Sequence, residues 1–265
     1  MRFKIDHDLH IHSQLSSCSA DPEQTPERIL AHAEKYGLST VCVTDHYWDR
    51  AVGGASDWYK PQDFEHISKS NPLPKRDGIR FLFGCETEMR KEKYIGMPRD
   101  RFDDLEFVII PTTHFHMRGF TISEESAAST EGRAVAWIDR LDALLSMDLP
   151  FKKIGIAHLT CGLILRESRT EFLRMIDMLP ERELERLFNK AATLGVGIEL
   201  NGSDMSFHDS EADTVLRPYR IAKSQGCKFY LGSDAHHPAG LDRSIPIFDR
   251  AITMLDLKES DKFRI

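Results

Sequence analysis

The sequence lacks the marks of several protein classes. No apolar run approaches the roughly 20 residues of a membrane span. A signal peptide is not expected either, because the chain does not begin with basic residues followed by a long apolar segment. The cysteines form no CxxC pair, which argues against a zinc finger or a disulfide framework and favours a reducing compartment. The five are Cys18, Cys42, Cys85, Cys161 and Cys227. We therefore expect a cytoplasmic protein without membrane partners.

Positive charge is also scarce, with 35 Lys and Arg against 42 Asp and Glu and a net charge of -7. A general nucleic-acid binder would carry a basic face, so long nucleic-acid substrates are disfavoured. A small anionic substrate is not excluded, because metal ions can dominate the local field. No linker or repeat divides the 265 residues. We expect one domain over 1–265, with an irregular insertion at about 47–78.

Short apolar runs alternate with helical patterns along most of the chain. Strands are predicted at 3–11, 40–44, 79–85, 107–110 (continuing to 116), 154–157, 196–200 and 228–231. Helices are predicted at 25–36, 132–145, 180–194, 210–225 and 247–255. Such alternation indicates an α/β fold with a parallel sheet. A (β/α) barrel of about seven strands is favoured over a doubly wound open sheet. In a barrel the C-terminal ends of all strands surround one mouth, so side chains at those ends can converge on one site.

Nearly every predicted strand ends in a potential metal ligand. His10 and His12 close the first strand and share one face, because alternate strand residues point the same way. Burying many polar groups without partners is costly, and metal ions are suitable partners for imidazoles and carboxylates. The ligands predicted at later strand ends are His46, Glu86, His114, His158, Asp234 and His236. By contrast, His7, His32, His66 and His208 fall outside this pattern and are predicted to be structural or solvated.

These motifs resemble, in order and spacing, those of the PHP (polymerase and histidinol phosphatase) family. The resemblance spans 8–236 and implies a distorted (β/α)7 TIM-like barrel, in agreement with the strand count. It is carried by Asp8-x-His10-x-His12-Ser13, Thr44-Asp45-His46, Gly84-x-Glu86, His114, Ala157-His158 and Gly232-Ser233-Asp234-Ala235-His236.

The resemblance implies two or three divalent ions, which would be zinc, manganese or iron. One ion would take His10, His12, Glu86 and Asp234, and a second would share Glu86 and take His114 and His158. A third would take His46, His236 and a residue shortly after the HxH motif. There the sequence departs from the family, and the candidates are Ser17, Cys18 and Asp21, of which a Cys18 thiolate is a fair zinc ligand.

Other residues are assigned to the surroundings of the metals. Asp45 and Glu88 are predicted to orient imidazoles, and Glu199 and Asn201 to line the mouth. Candidates for contact with substrate are His116 and, for a phosphate group, Arg118, Arg90, Lys91 or Arg243. The aromatic side chains Tyr47, Trp48, Trp58 and Tyr59 are expected to cover the mouth and select the alcohol part of the substrate.

The sequence thus predicts a metal-dependent phosphoesterase acting on a small phosphate monoester, histidinol-phosphate-like or a nucleotide. Paired divalent ions activate water for in-line displacement at phosphorus, with His46 or His236 as the acid if the third site is empty. An amidohydrolase-type hydrolase is an alternative, although its lysine after strand four has no counterpart among the motifs. A non-catalytic metal-binding module is another. The oligomeric state, the native metal and the substrate are left open.

Overall fold

The computed structural model describes residues 1–19 and 21–265, and eight short parallel strands run through that part of the chain. Seven of them pair in the order β1-β2-β4-β5-β6-β7-β8, and the two-residue β3 follows β2 and pairs with β4. The strands are β1 (His7–Ile11), β2 (Thr40–Val43), β3 (His46–Tyr47), β4 (Arg80–Thr87), β5 (Phe107–Pro111), β6 (Ile154–Ala157), β7 (Gly197–Asn201) and β8 (Lys228–Gly232).

The ring of strands closes where β1 meets the segment after β8. Asp234 donates its backbone N–H to the carbonyl of His10 at 2.7 Å, and His12 donates to Ala235 at 3.1 Å. The buried Gln24 amide donates to the carbonyls of both His12 and Ala235. Because of these bonds, the fold is the predicted distorted (β/α)7 barrel and not an open sheet. The same bonds connect the first predicted motif to the last.

Helices follow most strands. They are α1 (Pro26–Tyr36), α2 (Phe64–Ile67), α3 (Glu124–Ala127), α4 (Thr130–Leu145), α5 (Arg169–Met178), α6 (Glu181–Leu194), α7 (Ala212–Ser224) and α8 (Pro238–Met254). The Thr25 hydroxyl accepts from the N–H of Arg28, and Gly37 takes the left-handed conformation just past the C-terminal end of α1, as its sequence predicts. Among the described residues, no helix combines the length and the apolar character needed to cross a membrane.

Several elements differ from the sequence prediction. Helix α8 begins at Pro238 and continues through Pro246, whereas the prediction began at 247. Helix α5 was not predicted. The fourth strand of the ring, β5, ends at Pro111, so His114 and His116 lie on the loop that follows it and not on the strand itself.

The interior of the barrel is filled with apolar side chains. Leu9, Leu82, Phe107, Tyr230 and Phe263 belong to one buried cluster inside the ring of strands, and the Phe107 and Tyr230 rings meet edge to face at 5.2 Å. Burying a large apolar side chain contributes about 1.5–3 kcal/mol. A register shift between Asp8 and Ile11 interrupts β1, so that Leu9 joins this core while the next residues supply the site.

Candidate metal centre

Four side chains bring acceptor atoms together at the C-terminal mouth of the barrel. His10 Nε2 lies 3.2 Å from His12 Nε2, 3.4 Å from Glu86 Oε2 and 3.4 Å from Asp234 Oδ1. His12 Nε2 lies 3.3 Å from the same Glu86 oxygen and 3.1 Å from the same Asp234 oxygen. Atoms bound tetrahedrally about 2.0–2.1 Å from one zinc ion are themselves roughly 3.3 Å apart, so the separations among His10, His12 and Asp234 suit a shared cation. Glu86 groups with His10 and His158, and the ligand atoms within each of these two groups lie within 4.8 Å of one another.

The hydrogen bonds behind the two imidazoles fix their tautomers. His10 Nδ1 donates to Glu199 Oε1 at 2.6 Å. The Ser16 hydroxyl donates to Asp45 Oδ1 at 2.7 Å and therefore accepts from His12 Nδ1 at 2.9 Å. With a proton held on Nδ1, each ring turns its Nε2 atom towards the other ring, where a bound cation would take the place of a second proton. A metal-binding histidine usually donates its other ring N–H to an oxygen in this way, which fixes the orientation of the ring.

A second set of atoms continues the cluster from Glu86. His158 Nε2 lies 3.8 Å from Glu86 Oε1 and 3.6 Å from Asp234 Oδ2. The His114 ring is 4.8 Å from that of His158, and His114 Nδ1 donates to the buried Glu88 carboxylate at 2.8 Å. Both oxygens of Glu86 thus face nitrogens of different histidines, the placement expected of a carboxylate shared by two ions.

The backbone is strained at two of these residues. His158 has φ 63° and Asp234 has φ 53°, in the left-handed region that residues other than glycine seldom occupy. Each lies just beyond the end of its strand, β6 or β8, where the left-handed turn follows the last paired residue. Strain of this kind persists where the surrounding structure over-determines it, and it concentrates at functional sites.

A third set gathers around Cys18. Ligand atoms of His12, Cys18, His46 and His236 all lie within 4.8 Å of one another. Of the three candidates after the HxH motif, only Cys18 is in this group. The backbone N–H of Ser17 donates to Gln62 and the Asp21 carboxylate accepts from Glu23, and the group includes neither side chain.

The donor atoms fit divalent metal ions. His46 Nδ1 and Glu86 Oε1 are buried without a hydrogen-bond partner in the described structure, although His46 Nδ1 lies 3.1 Å from Glu86 Oε2. Leaving such polar atoms unpaired costs free energy that coordination would recover. Imidazole nitrogens and carboxylate oxygens, with one thiol beside them, are a set suited to zinc, manganese or iron.

Opposite charges determine the protonation of the central residues. Burial disfavours charge there, but Glu199, Asp234 and Glu86 prevail and raise the pKa of His10 well above its ordinary value. Burial is likewise outweighed at Glu86, where His46 and His10 hold the carboxyl pKa well below its ordinary value. At the outer edge burial prevails, lowering the pKa of His46 and bringing that of His236 to about 4. These two rings are neutral near pH 7, a state suited to coordination and not to proton donation.

Two acidic residues that support the centre were assigned no such role from sequence. Glu199 was expected to line the mouth, but it holds His10 and also accepts from the backbone N–H of His158. Asp204 lies behind His158, with its Oδ1 at 3.6 Å from His158 Nδ1, beside the Cys161 thiol. Their position at the end of β7 and just after it was the feature of the sequence that could have indicated this role.

The cavity over the centre is not lined by any of the phosphate-binding candidates, Arg118, Arg90, Lys91 or Arg243. Arg118 pairs with Glu167 at 2.8 Å on the surface and is not among the residues lining the cavity over the centre. Arg90 pairs with Glu92, and Arg243 contacts His237. His116 does line the cavity. The four histidines predicted to be structural or solvated lie outside the ligand groups: His7 and His32 are buried, His66 donates to the Leu15 carbonyl, and His208 is exposed.

Comparison with known proteins agrees with this architecture. The family model described as the PHP domain matches residues 8–193. A probable phosphatase from Caldicellulosiruptor bescii is 22% identical over 223 residues, covering 82% of this chain and 75% of the relative. A probable phosphatase from Caldicellulosiruptor saccharolyticus is 22% identical over 241 residues, covering 90% of this chain and 83% of the relative.

Two solved structures share the fold. Histidinol phosphate phosphatase from Lactococcus lactis, crystallised with zinc, L-histidinol and phosphate, superposes with a TM-score of 0.58 at 19% identity over 93% of both chains. A putative histidinol phosphatase from Listeria monocytogenes gives a TM-score of 0.60 at 12% identity, over 88% of this chain and 96% of the other.

Proposed function

Because the chain belongs to the PHP domain family, we propose that it is a metal-dependent phosphoesterase that hydrolyses a small phosphate monoester. The observation that carries the proposal is the convergence of His10, His12, Glu86 and Asp234, whose acceptor atoms lie 3.1–3.4 Å apart in the pairs that include a histidine. The phosphatase descriptions of its relatives support the same reaction class.

We propose three ligand sets for two or three divalent ions. The first is His10, His12, Glu86 and Asp234. The second is Glu86, His114 and His158. The third is His46, His236 and Cys18, in which a thiol replaces the residue that the family normally supplies. Bound ions would polarise the phosphoryl oxygens and make water a stronger nucleophile near neutral pH.

The protein groups themselves hold protons, orient ligands and exclude water. Glu199, Ser16 and Glu88 keep the protons of His10, His12 and His114 on Nδ1. Arg140, which lies 3.5 Å from the Glu88 carboxylate, helps to balance that buried charge. Because His46 and His236 are neutral, we assign them to coordination and not to the acid role considered from the sequence.

The test is phosphate release from a panel of phosphomonoesters by metal-loaded protein. We expect activity in wild type and its loss in His12→Ala and Glu86→Gln, which remove a ligand and a shared carboxylate. The loss should exceed the roughly 10–100-fold that removing only an outer partner of a ligand usually costs. His208→Ala is the matched control, because His208 is exposed and outside the ligand groups. A metal-loaded wild type inert towards the whole panel would contradict the proposal.

The two alternatives have less support. An amidohydrolase-type centre would require a bridging lysine, but the shared position is occupied by Glu86, and no lysine lies among the described residues lining the cavity. A non-catalytic module would not require a cavity open to solvent over its metals. Cytoplasmic location and a small phosphorylated partner stay predictions; all five thiols are free, as a reducing compartment would allow.

A further inference from the structure

The cavity over the metal centre has two unlike walls. It encloses about 460 Å³, a size typical of small-molecule sites. One wall is the ligand cluster. The other is apolar and comes from the insertion and from two loops on the mouth side of the barrel: Trp58, Tyr59, Met117, Phe120 and Leu163.

The aromatic part of that wall is fixed by packing. Tyr59 is buried, and its ring stacks on Phe120 at 5.7 Å with an interplanar angle of 17°. Trp58 meets Tyr59 edge to face at 4.7 Å and His46 at 4.9 Å. The Arg90 guanidinium packs on the Phe120 ring at 4.9 Å. An aromatic surface therefore begins directly beside a candidate metal ligand.

Charge is missing from the same wall. The described lining residues include no lysine or arginine, and the only lining carboxylates, Glu86 and Asp234, belong to the metal cluster. Outside the ligand sets, hydrogen-bonding groups are supplied by Ser56 and His116 and by the indole N–H of Trp58 and the hydroxyl of Tyr59. A second anionic group or an ammonium on the substrate would lose its hydration there without gaining a partner, which is unfavourable.

We infer that the substrates are phosphate monoesters of uncharged alcohols that carry an aromatic ring close to the ester oxygen. This inference rests on the proposed function. In the reaction, a water oxygen bonds to phosphorus and the ester P–O bond breaks. The alcohol oxygen leaves with the bonding pair and takes up a proton released by the water. The ring would pack against Trp58 and Phe120 while the phosphoryl group faces the ligand cluster.

The test compares kcat/KM of the metal-loaded full chain for esters whose leaving alcohols have similar reactivity. Benzyl phosphate is the neutral aromatic ester. The others are 4-carboxybenzyl phosphate, 4-(aminomethyl)benzyl phosphate and glycerol 1-phosphate. We expect benzyl phosphate to be favoured at least about tenfold over each, because one well-placed apolar group commonly changes specificity by that factor. Histidinol phosphate, whose alcohol carries an ammonium, should also be slower than benzyl phosphate.

Trp58→Ala should lower the ratio of kcat/KM for benzyl phosphate to that for glycerol 1-phosphate. This side chain is 39% exposed, so its removal should not unfold the protein. Tyr36→Ala is the control, because Tyr36 ends α1 outside the cavity and the ratio should not change. Equal turnover of charged and neutral esters, or an unchanged ratio in Trp58→Ala, would overturn the substrate class alone. Inactivity towards every ester would overturn the phosphoesterase proposal and the substrate class with it.

Discussion

At the scale of single residues, Ser16 joins a metal ligand to the carboxylate behind it. Its hydroxyl accepts from His12 Nδ1 and donates to Asp45. Ser16→Ala leaves the Nδ1 proton without this partner, and such losses typically weaken metal affinity or activity about 10–100-fold. We expect that decrease in zinc affinity, measured by competition with a chromophoric chelator. Ser17→Ala, at the neighbouring exposed position, is the control, and wild-type affinity in Ser16→Ala would contradict the role.

Cys18 is the residue at which the sequence departs from its family. Burial and the charges of Glu86 and Asp234 raise the pKa of its thiol, so the thiolate requires a nearby cation. In cobalt-substituted protein we expect a near-ultraviolet sulfur-to-cobalt absorption band that disappears in Cys18→Ser. The band should persist in Cys161→Ser, whose thiol is buried beside His158. A spectrum of Cys18→Ser identical to that of wild type would exclude coordination by Cys18.

The residues brought together here differ in how far sequence could identify them. His10, His12, Glu86 and Asp234 lie at or just after the ends of apolar strands in recognisable motifs, and barrel geometry requires them to converge. Ser16 and Asp204 lie in loops, and only the tertiary fold places them behind His12 and His158. No local pattern distinguishes such a supporting side chain from any other polar loop residue.

At the scale of elements, the end of β8 approaches β1 and β7 so closely that it requires glycine. A Cβ on Gly232 would overlap Glu199 Oε1 and lie 2.6 Å from His10 Cβ. We expect Gly232→Ala to lower the free energy of unfolding by roughly 1–3 kcal/mol, as overpacking usually does, and to weaken metal binding by displacing Glu199. Denaturant unfolding and chelator competition measure the two effects. Gly53→Ala, where the Cβ would enter open space, should change neither, and equal behaviour of the two variants would contradict the account.

The beginning of β1 should make stability depend on pH. Buried His7 donates from Nδ1 to Asp6 and accepts at Nε2 from the N–H of Leu231, and burial lowers its pKa despite the charge of Asp6. The unfolded chain therefore binds this proton more readily than the folded one. The contribution of neutral His7 to the free energy of unfolding is complete above the unfolded pKa of about 6.5. It is lost as pH falls below that value, at up to about 1.4 kcal/mol per pH unit.

Denaturant unfolding in chelator between pH 7.5 and 5.5 measures this dependence without a contribution from bound metal. His7→Gln keeps an acceptor and a donor but cannot titrate, so its stability should fall less steeply over the same range. The nearby charges of Lys262 and Glu259 are present in both proteins, so their own effects on the pH dependence of stability cancel in the comparison. Parallel pH profiles for the two proteins would contradict the role given to His7.

The strands were more predictable than the helices. Runs such as 154–157 are apolar, short and bounded by turn residues, and β6 matches its predicted range. Helix α5 was missed although Phe172, Met175 and Ile176 recur at helical spacing and the Ser168 hydroxyl accepts from the N–H of Glu171, a recognisable N-terminal signal. Helix α8 was predicted to begin near 247, but it begins at Pro238 and continues through Pro246.

At the scale of the whole molecule, the ligands are contributed by segments as far apart as β1 and the loop after β8. Closure of the barrel brings them to one mouth, and the potential ligands at the ends of nearly all predicted strands were the reason to predict that closure. The apolar wall of the cavity was less predictable. The insertion contributes Trp58 and Tyr59, as its aromatic composition indicated, but Met117, Phe120 and Leu163 come from loops whose placement depends on the complete fold.

The central claim is that this chain uses bound metal to hydrolyse a phosphate ester. It is tested most directly by following phosphate release from p-nitrophenyl phosphate while chelator withdraws the metal and zinc or manganese is then restored, with metal content measured at each step. We expect activity to fall in proportion to bound metal and to return when metal is restored. Activity that survives complete metal removal, or metal-loaded protein that releases no phosphate, would contradict the claim.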